Sequence, residues 1–254
     1  MRITEITDQL IDEEVNPKNI DLSSFKVKDT LNPKIFDENQ KMKNEIRTRL
    51  LMIADDFFDT LELPWVDVTD ITLTGSLSNY NWSKFSDVDL HILIDYNEVD
   101  ENESLVSEYL GAKKNIWNEK HDITIKDYDV ELYVQDMNED HISTGVYSIM
   151  WDEWLVKPKK GDPKIDSKKV KQKASNIINT YDSLIETFYA GEYDKVIRKI
   201  NTIRQKIKKM RQSGLDREGE YSYENITFKV LRRVGLLDKL SDLETLSYDK
   251  SLTM

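Results

Sequence analysis

Residues 71–95 read ITLTGSLSNYNWSKFSDVDLHILID, and this stretch decides the fold class. An apolar run ends in Gly75-Ser76, a polar loop of ten residues follows, and a second apolar run contains Asp87-Val88-Asp89. Because strand side chains alternate between faces, the two aspartates are expected on one face and Val88 on the other. Two carboxylates this close repel each other unless a cation lies between them. The pattern therefore predicts a site for Mg²⁺, which prefers oxygen ligands and keeps part of its shell for phosphates.

A third carboxylate is expected from the stretch DYDVELYVQD at 127–136, which also alternates like a strand. Its apolar face consists of Val130, Leu132 and Val134, and the other face of Asp129, Glu131 and Tyr133. Glu131 is the preferred third ligand, because its apolar neighbours anchor it in a central strand. Asp129, nearer the start of the strand, is the alternative.

These motifs resemble the signature of the DNA polymerase β-like nucleotidyltransferase superfamily, in which a Gly-Ser turn precedes an Asp-x-Asp pair and a later apolar-acid-apolar strand. Gly75-Ser76, Asp87-Val88-Asp89 and Val130-Glu131-Leu132 occupy those positions. The resemblance covers residues 70–135. More loosely, most of the chain is similar to small stand-alone nucleotidyltransferases predicted in bacteriophage genomes.

The resemblance implies a fold and a reaction. The fold would be α+β, with a nucleotidyltransferase-type mixed β-sheet, flanking helices and a C-terminal helical domain. Asp87, Asp89 and Glu131 would hold two Mg²⁺ ions, which Mn²⁺ can replace. The enzyme would transfer a nucleoside monophosphate from a nucleoside triphosphate, such as ATP, to an acceptor hydroxyl and release pyrophosphate. The turn at Gly75 and Ser76 would bind the triphosphate, because glycine lets the backbone approach closely.

Basic residues are further candidates for contacts with the triphosphate. Lys84 lies in the loop after the Gly-Ser turn, although an exposed loop lysine is an equally good interpretation. Family members often supply a basic residue from the region of the last helix. The candidates there are Lys229, Arg232 and Arg233.

For three other residues near the acids, a structural role is preferred to a functional one. Tyr80 and Trp82 could stack on a base, but contacts that anchor the loop are preferred. His91 shares a face with Asp89 and could lie beside the ions or the acceptor, but a histidine in a strand is more often a packing residue.

Charge is unevenly distributed along the chain, whose net charge is −12. Residues 1–156 carry 34 acidic and 14 basic side chains, whereas residues 157–211 carry 6 acidic and 16 basic ones. The basic helix IRKINTIRQKIKKMRQ at 197–212 has a pattern typical of a solvated face. If that face borders the active site, it could attract a polynucleotide, because phosphate contacts dominate nucleic-acid affinity. RNA or tRNA is therefore the favoured acceptor.

Composition excludes several classes of protein. The absence of cysteine excludes disulfides, thiolate zinc sites and a cysteine nucleophile. A charged fraction of 33% without an extended apolar run argues against a membrane span. The start MRITEITDQLIDEE lacks the pattern of a signal peptide, so we expect a cytoplasmic protein, in the host cytoplasm if the chain is phage-encoded.

Three segments are expected along the chain: an N-terminal arm at 1–32, a catalytic domain at 33–160 and a helical domain at 161–254. The boundary lies in KPKKGDPKID at 157–166, which combines prolines, a glycine and charge. The active site is expected in the cleft between the two domains. Helical periodicity predicts helices over 37–61, 103–118, 167–190, 191–211 and 223–240, and a hairpin over 145–156.

Two other functions stay open. The chain could be a catalytically silent nucleotide-binding or structural protein that keeps the fold, although intact carboxylates argue against this. It could also be the transferase of a two-gene defence pair. A fused ribonuclease is disfavoured, because the histidines, at 91, 121 and 141, all precede the helical half.

Overall fold

The computed structural model describes residues 22–139, 143–161 and 164–253. These residues divide into a sheet unit, which spans 23–161, and a helical unit, which comprises residue 22 and residues 164–253. Of the predicted arm at 1–32, residues 1–21 lie outside the described residues. Residues 23–32 belong to the sheet unit, where Phe25 and Leu31 are buried.

The sheet unit is built on a mixed six-stranded sheet. Its strands are β1 (Val68–Thr74), β2 (Val88–Ile94), β3 (Thr124–Ile125), β4 (Tyr128–Asp136), β5 (Val146–Ser148) and β6 (Glu153–Val156), in the spatial order β3-β4-β2-β1-β5-β6. β2 and β4 are parallel, and the other neighbours are antiparallel. Helix α1 (Asn44–Asp59) precedes β1, and helices α2 (Tyr96–Val99) and α3 (Glu103–Lys120) lie in the crossover between the parallel strands. The expected α+β fold with a mixed sheet and flanking helices is confirmed.

Burial alternates along the first five residues of β2 and separates the two faces of the sheet there. In β2 the side chains of Val88, Leu90 and Ile92 are almost fully buried, whereas Asp89 and His91 between them are half-buried. Helix α1 buries a stripe at helical spacing: Ile46, Leu50, Ile53, Ala54 and Phe57. These side chains form one hydrophobic core with the apolar residues of the central strands. The polar residues of β2 are therefore left on the opposite face.

The described residues of the helical unit form four α-helices: α4 (Ser167–Tyr189), α5 (Tyr193–Glu218), α6 (Tyr223–Arg233) and α7 (Leu236–Leu252). A short 3-10 helix (Gly219–Tyr221) lies between α5 and α6. α4 buries an apolar stripe at three- to four-residue spacing: Val170, Ala174, Ile178, Tyr181, Leu184 and Phe188. α5 does the same with Val196, Ile200, Ile203 and Ile207 and packs against α6 and α7. Among the described residues, no helix has the length and apolar composition that crossing a membrane requires.

The helix boundaries differ from the predictions in three places. The single helix expected over 223–240 is wrong, because Gly235 adopts φ 70° and separates α6 from α7. The helix expected to end at 211 continues to Glu218, where Gly219 stops it with φ 70°. The helix expected from 37 begins at Asn44, because the Asp37 carboxylate accepts from the backbone N–H groups of Asn39 and Lys41 and holds a turn instead. Local periodicity does not detect such caps and breaks.

Of two helical glycines, one is closely packed and the other faces open space, so alanine should affect stability in opposite directions at the two positions. A Cβ at Gly214 in α5 would lie 2.6 Å from the Ser222 hydroxyl and 2.7 Å from the Glu224 Cβ, whereas one at Gly111 in α3 would meet nothing within 4 Å. We expect Gly214→Ala to lower the free energy of unfolding by about 1–3 kcal/mol through overpacking. Gly111→Ala should raise it by about 0.5–1 kcal/mol through helix propensity. Urea unfolding followed by circular dichroism measures both, and a gain in stability for both variants would contradict the packing at Gly214.

Candidate metal centre

Three carboxylates meet at the polar face of the sheet. Each of Asp87, Asp89 and Glu131 offers an oxygen, and these oxygens all lie within 4.8 Å of one another. Asp87 directly precedes β2, and Asp89 is paired with Glu131 in the parallel register between β2 and β4. All three residues are half-buried. The structure thus brings together the three acids that the sequence proposed as one site.

Gly75 closes the site on the side of β1. Thr74, the last residue of β1, is paired with Asp89, so the chain turns directly beside that carboxylate. Gly75 has φ 72°, and a Cβ there would lie 1.8 Å from the Asp89 Oδ2. Glycine is favoured on both counts, because other residues rarely adopt this conformation and a Cβ there would force the Asp89 carboxylate to move.

The loop after Gly75 is held by side-chain hydrogen bonds. The Ser76 hydroxyl donates to the Ser86 hydroxyl (2.7 Å), which also accepts from the Ser83 backbone N–H (2.9 Å). The Ser78 hydroxyl lies 2.7 Å from the Gly145 carbonyl oxygen, and the Asn79 amide donates to the Gly75 carbonyl (2.9 Å). The turn is therefore tied to both the end of the loop and the segment before β5.

Tyr133 contacts the third carboxylate. Its hydroxyl donates to the Glu131 Oε2 at 2.5 Å, and its ring stacks on His91 with a centroid distance of 4.9 Å. Burial raises the pKa of Tyr133 far above its usual range, and the hydrogen bond to Glu131 and the negative charges of the three acids add to the effect. The phenol thus keeps its proton and acts as a donor to the carboxylate.

His91 is hydrogen-bonded through both ring nitrogens. Its Nε2 lies 3.1 Å from the Thr74 hydroxyl, and its Nδ1 lies 2.9 Å from the Gln135 side-chain oxygen. An amide oxygen accepts, so Nδ1 is the donor, and a neutral ring then accepts from Thr74 through Nε2. This arrangement agrees with the packing role that was preferred for His91.

Helix α3 supports β4 beside Glu131. The Asn118 amide donates to the Leu132 carbonyl (3.1 Å), and the Leu132 N–H donates to the Asn118 oxygen (3.2 Å). Asn118 therefore supplies hydrogen-bond partners for both backbone groups of Leu132, the residue after Glu131. The short strand β3 does not reach this point, because it pairs with β4 only at Tyr128 and Asp129. Asp129, the alternative third ligand, is exposed and is paired with Thr124 of β3.

The donor set fits a hard divalent cation. All three groups are carboxylates, which are the ligands that Mg²⁺ and Mn²⁺ prefer, and the closeness of three like charges favours a bound cation. The half-buried position leaves each of the three residues partly exposed to solvent. The identity of the ion and the number of ions stay predictions.

The remaining site candidates belong to the loop after Gly75 or to the helical unit. Lys84 is exposed, and its Nζ lies 4.9 Å from the centre of the Phe85 ring. Lys229 and Arg232 belong to α6 of the helical unit. Burial lowers the pKa of Lys229; the charge of Glu220 opposes this, and those of Arg233, Arg232 and Arg211 add to it. Contacts of these residues with a triphosphate stay predictions.

Tyr80 and Trp82 anchor the loop, as their preferred interpretation predicts. The Tyr80 hydroxyl accepts from the Gln40 amide (3.2 Å), and its carbonyl accepts from the Lys28 N–H (2.7 Å). The Trp82 indole N–H donates to the Thr30 carbonyl (2.9 Å). These bonds join the loop to the segment at 28–40.

Several residues around the site had no assigned role in the sequence. Gln135, Ser86 and Asn118 belong to this group, and Tyr133 was placed on the polar face without a function. Strand alternation could have marked Tyr133, which lies two residues after Glu131. Asn118, in contrast, contacts β4 only through the tertiary fold.

No protein-family model matches the chain, and no curated protein matches it. A solved structure of a STING-associated CdnE c-di-GMP synthase from Capnocytophaga granulosa is similar over 99% of each chain, with 13% sequence identity and a TM-score of 0.21. Similarity at this level carries no argument about fold or function.

The collision at Gly75 predicts a loss of both stability and metal binding. Gly75→Ala places a methyl group against the Asp89 carboxylate, whereas Gly191→Ala, at φ 77° with open space, is the matched control for backbone strain. Both variants should lose about 1–2 kcal/mol from the strained conformation. Gly75→Ala should lose more stability than Gly191→Ala when unfolding is measured by calorimetry. It should also weaken Mn²⁺ binding in a titration followed by electron paramagnetic resonance. Equal losses of stability with unchanged Mn²⁺ binding would contradict the close approach of Gly75 to Asp89.

Proposed function

We propose that this chain is a metal-dependent nucleotidyltransferase, which transfers a nucleoside monophosphate from a nucleoside triphosphate to an acceptor hydroxyl and releases pyrophosphate. The observation that carries the proposal is the convergence of Asp87, Asp89 and Glu131 within 4.8 Å of one another. The turn at Gly75, which lies against Asp89, supports it, because glycine would let the backbone approach a phosphate bound beside the acids. We assign the catalytic domain to 33–160 and the helical domain to 161–254.

Each acid has a role in this reaction. Asp87 and Asp89 would bind both cations, and Glu131 would bind the one beside the acceptor hydroxyl. Two bound divalent cations supply stabilisation of the attacking and leaving oxygens of an in-line displacement at the α-phosphorus. The residues of the chain position the reactants and form no covalent intermediate, so most of the rate enhancement comes from orientation and electrostatics.

The triphosphate is assigned to the turn that follows β1. The Ser76 hydroxyl already donates to Ser86, so the phosphate contacts are assigned to backbone N–H groups of the turn. Lys84 in the same loop and Lys229 and Arg232 in α6 are proposed to neutralise phosphate charge.

An RNA or tRNA acceptor is proposed on the basis of charge. The basic segment at 157–211 contrasts with the acidic segment at 1–156, and phosphate contacts dominate nucleic-acid affinity. Part of the basic face of α5 is used inside the helical unit, where Arg204 forms an ion pair with Glu244 of α7. Two further residues of that face also have partners there: Lys199 donates to the Thr187 hydroxyl (3.3 Å), and the Arg211 guanidinium lies 4.2 Å from the centre of the Phe228 ring.

The first test is transfer of label from each of the four α-labelled ribonucleoside triphosphates, with Mg²⁺ or Mn²⁺. The acceptors are total tRNA, other RNA, cell protein and the chain itself. Label in the tRNA or RNA pool would support the proposal in full. Label in the protein pool or on the chain itself would support nucleotidyl transfer and contradict RNA as the acceptor. Nucleotide binding without transfer to any pool would favour the silent nucleotide-binding protein.

The acids provide the matched variants. Asp87→Asn combined with Asp89→Asn should abolish metal-dependent transfer, while the melting temperature stays equal or rises because like-charge repulsion is relieved. Glu131→Gln should also lose transfer. Asp129→Asn, on the same strand but outside the cluster, should keep it. Transfer that survives the double substitution would overturn the assignment of the metal site.

A further inference from the structure

We propose that Tyr133 is a positioning residue for Glu131: its hydroxyl fixes the carboxylate so that Oε2 is held by the phenol and Oε1 is presented to a cation. The inference rests on the proposed function, because it takes Asp87, Asp89 and Glu131 as a metal site. Tyr133 itself touches neither the ion nor the substrate in this assignment.

The contact between the two side chains is short and follows from the strand. Tyr133 lies two residues after Glu131 in β4, so both side chains project from the same face. The hydroxyl reaches the Glu131 Oε2 at 2.5 Å, within the range of charge-assisted O–H···O⁻ bonds. A glutamate carries three side-chain torsions, and this bond restricts the carboxylate to one arrangement.

The tyrosine ring is in turn held from two sides. His91, its direct partner in the β2–β4 register, stacks on it with an interplanar angle of 20°. The Nζ of Lys114, on α3, lies 4.7 Å from the ring centroid, which is the geometry of a cation–π contact. The phenol therefore has little freedom to leave Glu131.

A hydrogen-bonded row across three strands fixes the His91 ring. Thr74 of β1 contacts its Nε2, and Gln135 of β4 contacts its Nδ1. The contacts that hold Glu131 thus connect Thr74 at the end of β1, His91 of β2 and Tyr133 of β4. Thr74 directly precedes Gly75. Outer groups that orient a metal ligand in this way are worth about 10- to 100-fold in metal affinity or activity.

The test is Mn²⁺ binding followed by electron paramagnetic resonance, which does not require turnover. The wild type, Tyr133→Phe, Glu131→Gln and the Tyr133→Phe/Glu131→Gln double variant form a cycle. Tyr128→Phe is the control, because it removes a phenol from the same strand whose hydroxyl is bonded to Asn32 and to none of the acids. Circular dichroism verifies that each variant is folded.

We expect Tyr133→Phe to weaken Mn²⁺ binding about tenfold or more, and to have no further effect once Glu131 is glutamine. Tyr128→Phe should leave Mn²⁺ affinity unchanged. In nucleotide transfer, Tyr133→Phe should raise the Mg²⁺ concentration for half-maximal rate and leave the KM for the nucleotide near the wild-type value, which a merely structural role would not do.

Two results would overturn the inference alone: unchanged Mn²⁺ affinity in Tyr133→Phe, or an equal loss in the wild-type and Glu131→Gln backgrounds. A different result would also overturn the proposed function. If the wild type and the Asp87→Asn/Asp89→Asn variant bind Mn²⁺ equally, the acids are not a metal site and both proposals fail.

Discussion

The parallel pairing of β2 with β4 is the constraint on which the site depends. It places Asp89 directly beside Glu131, although the two residues are far apart in the chain. A shift of one residue in this register would turn Glu131 to the apolar face and leave Leu132 among the aspartates. The register is protected by the same alternation, because Leu90 and Leu132 must stay in the core. Packing of apolar side chains on one face thus determines the positions of the acids on the other.

Three like charges in a half-buried position oppose folding, and the surroundings of the site offset this in part. Tyr133 donates a hydrogen bond to Glu131, and the Lys114 ammonium lies over the same ring. Gly75 brings backbone rather than a side chain to Asp89. These contacts keep the three acids close together, which is the arrangement expected where a cation supplies compensating charge.

The sequence predicted the structure best where the pattern of residues within a single strand or helix is sufficient. The strand alternation of 71–95 and 127–136 predicted the strands and the face of each acid, and the apolar stripes of α4 and α5 predicted those helices. It was least successful at helix ends. Gly235 breaks the last predicted helix, and Asp37 holds a turn rather than starting a helix. Both depend on backbone conformation at one residue, which apolar periodicity does not report.

The sequence by itself determined which residues could form a cation site, because Gly75, the aspartate pair and Glu131 are recognisable from residue type and strand period alone. The tertiary structure decided how they are assembled. It placed Glu131 rather than Asp129 with the aspartates, set Tyr133 and His91 behind Glu131, and joined Asn118 to the backbone of β4. The physical reason is that alternation within a strand is a local property, whereas these contacts arise from strand register and helix packing between distant parts of the chain.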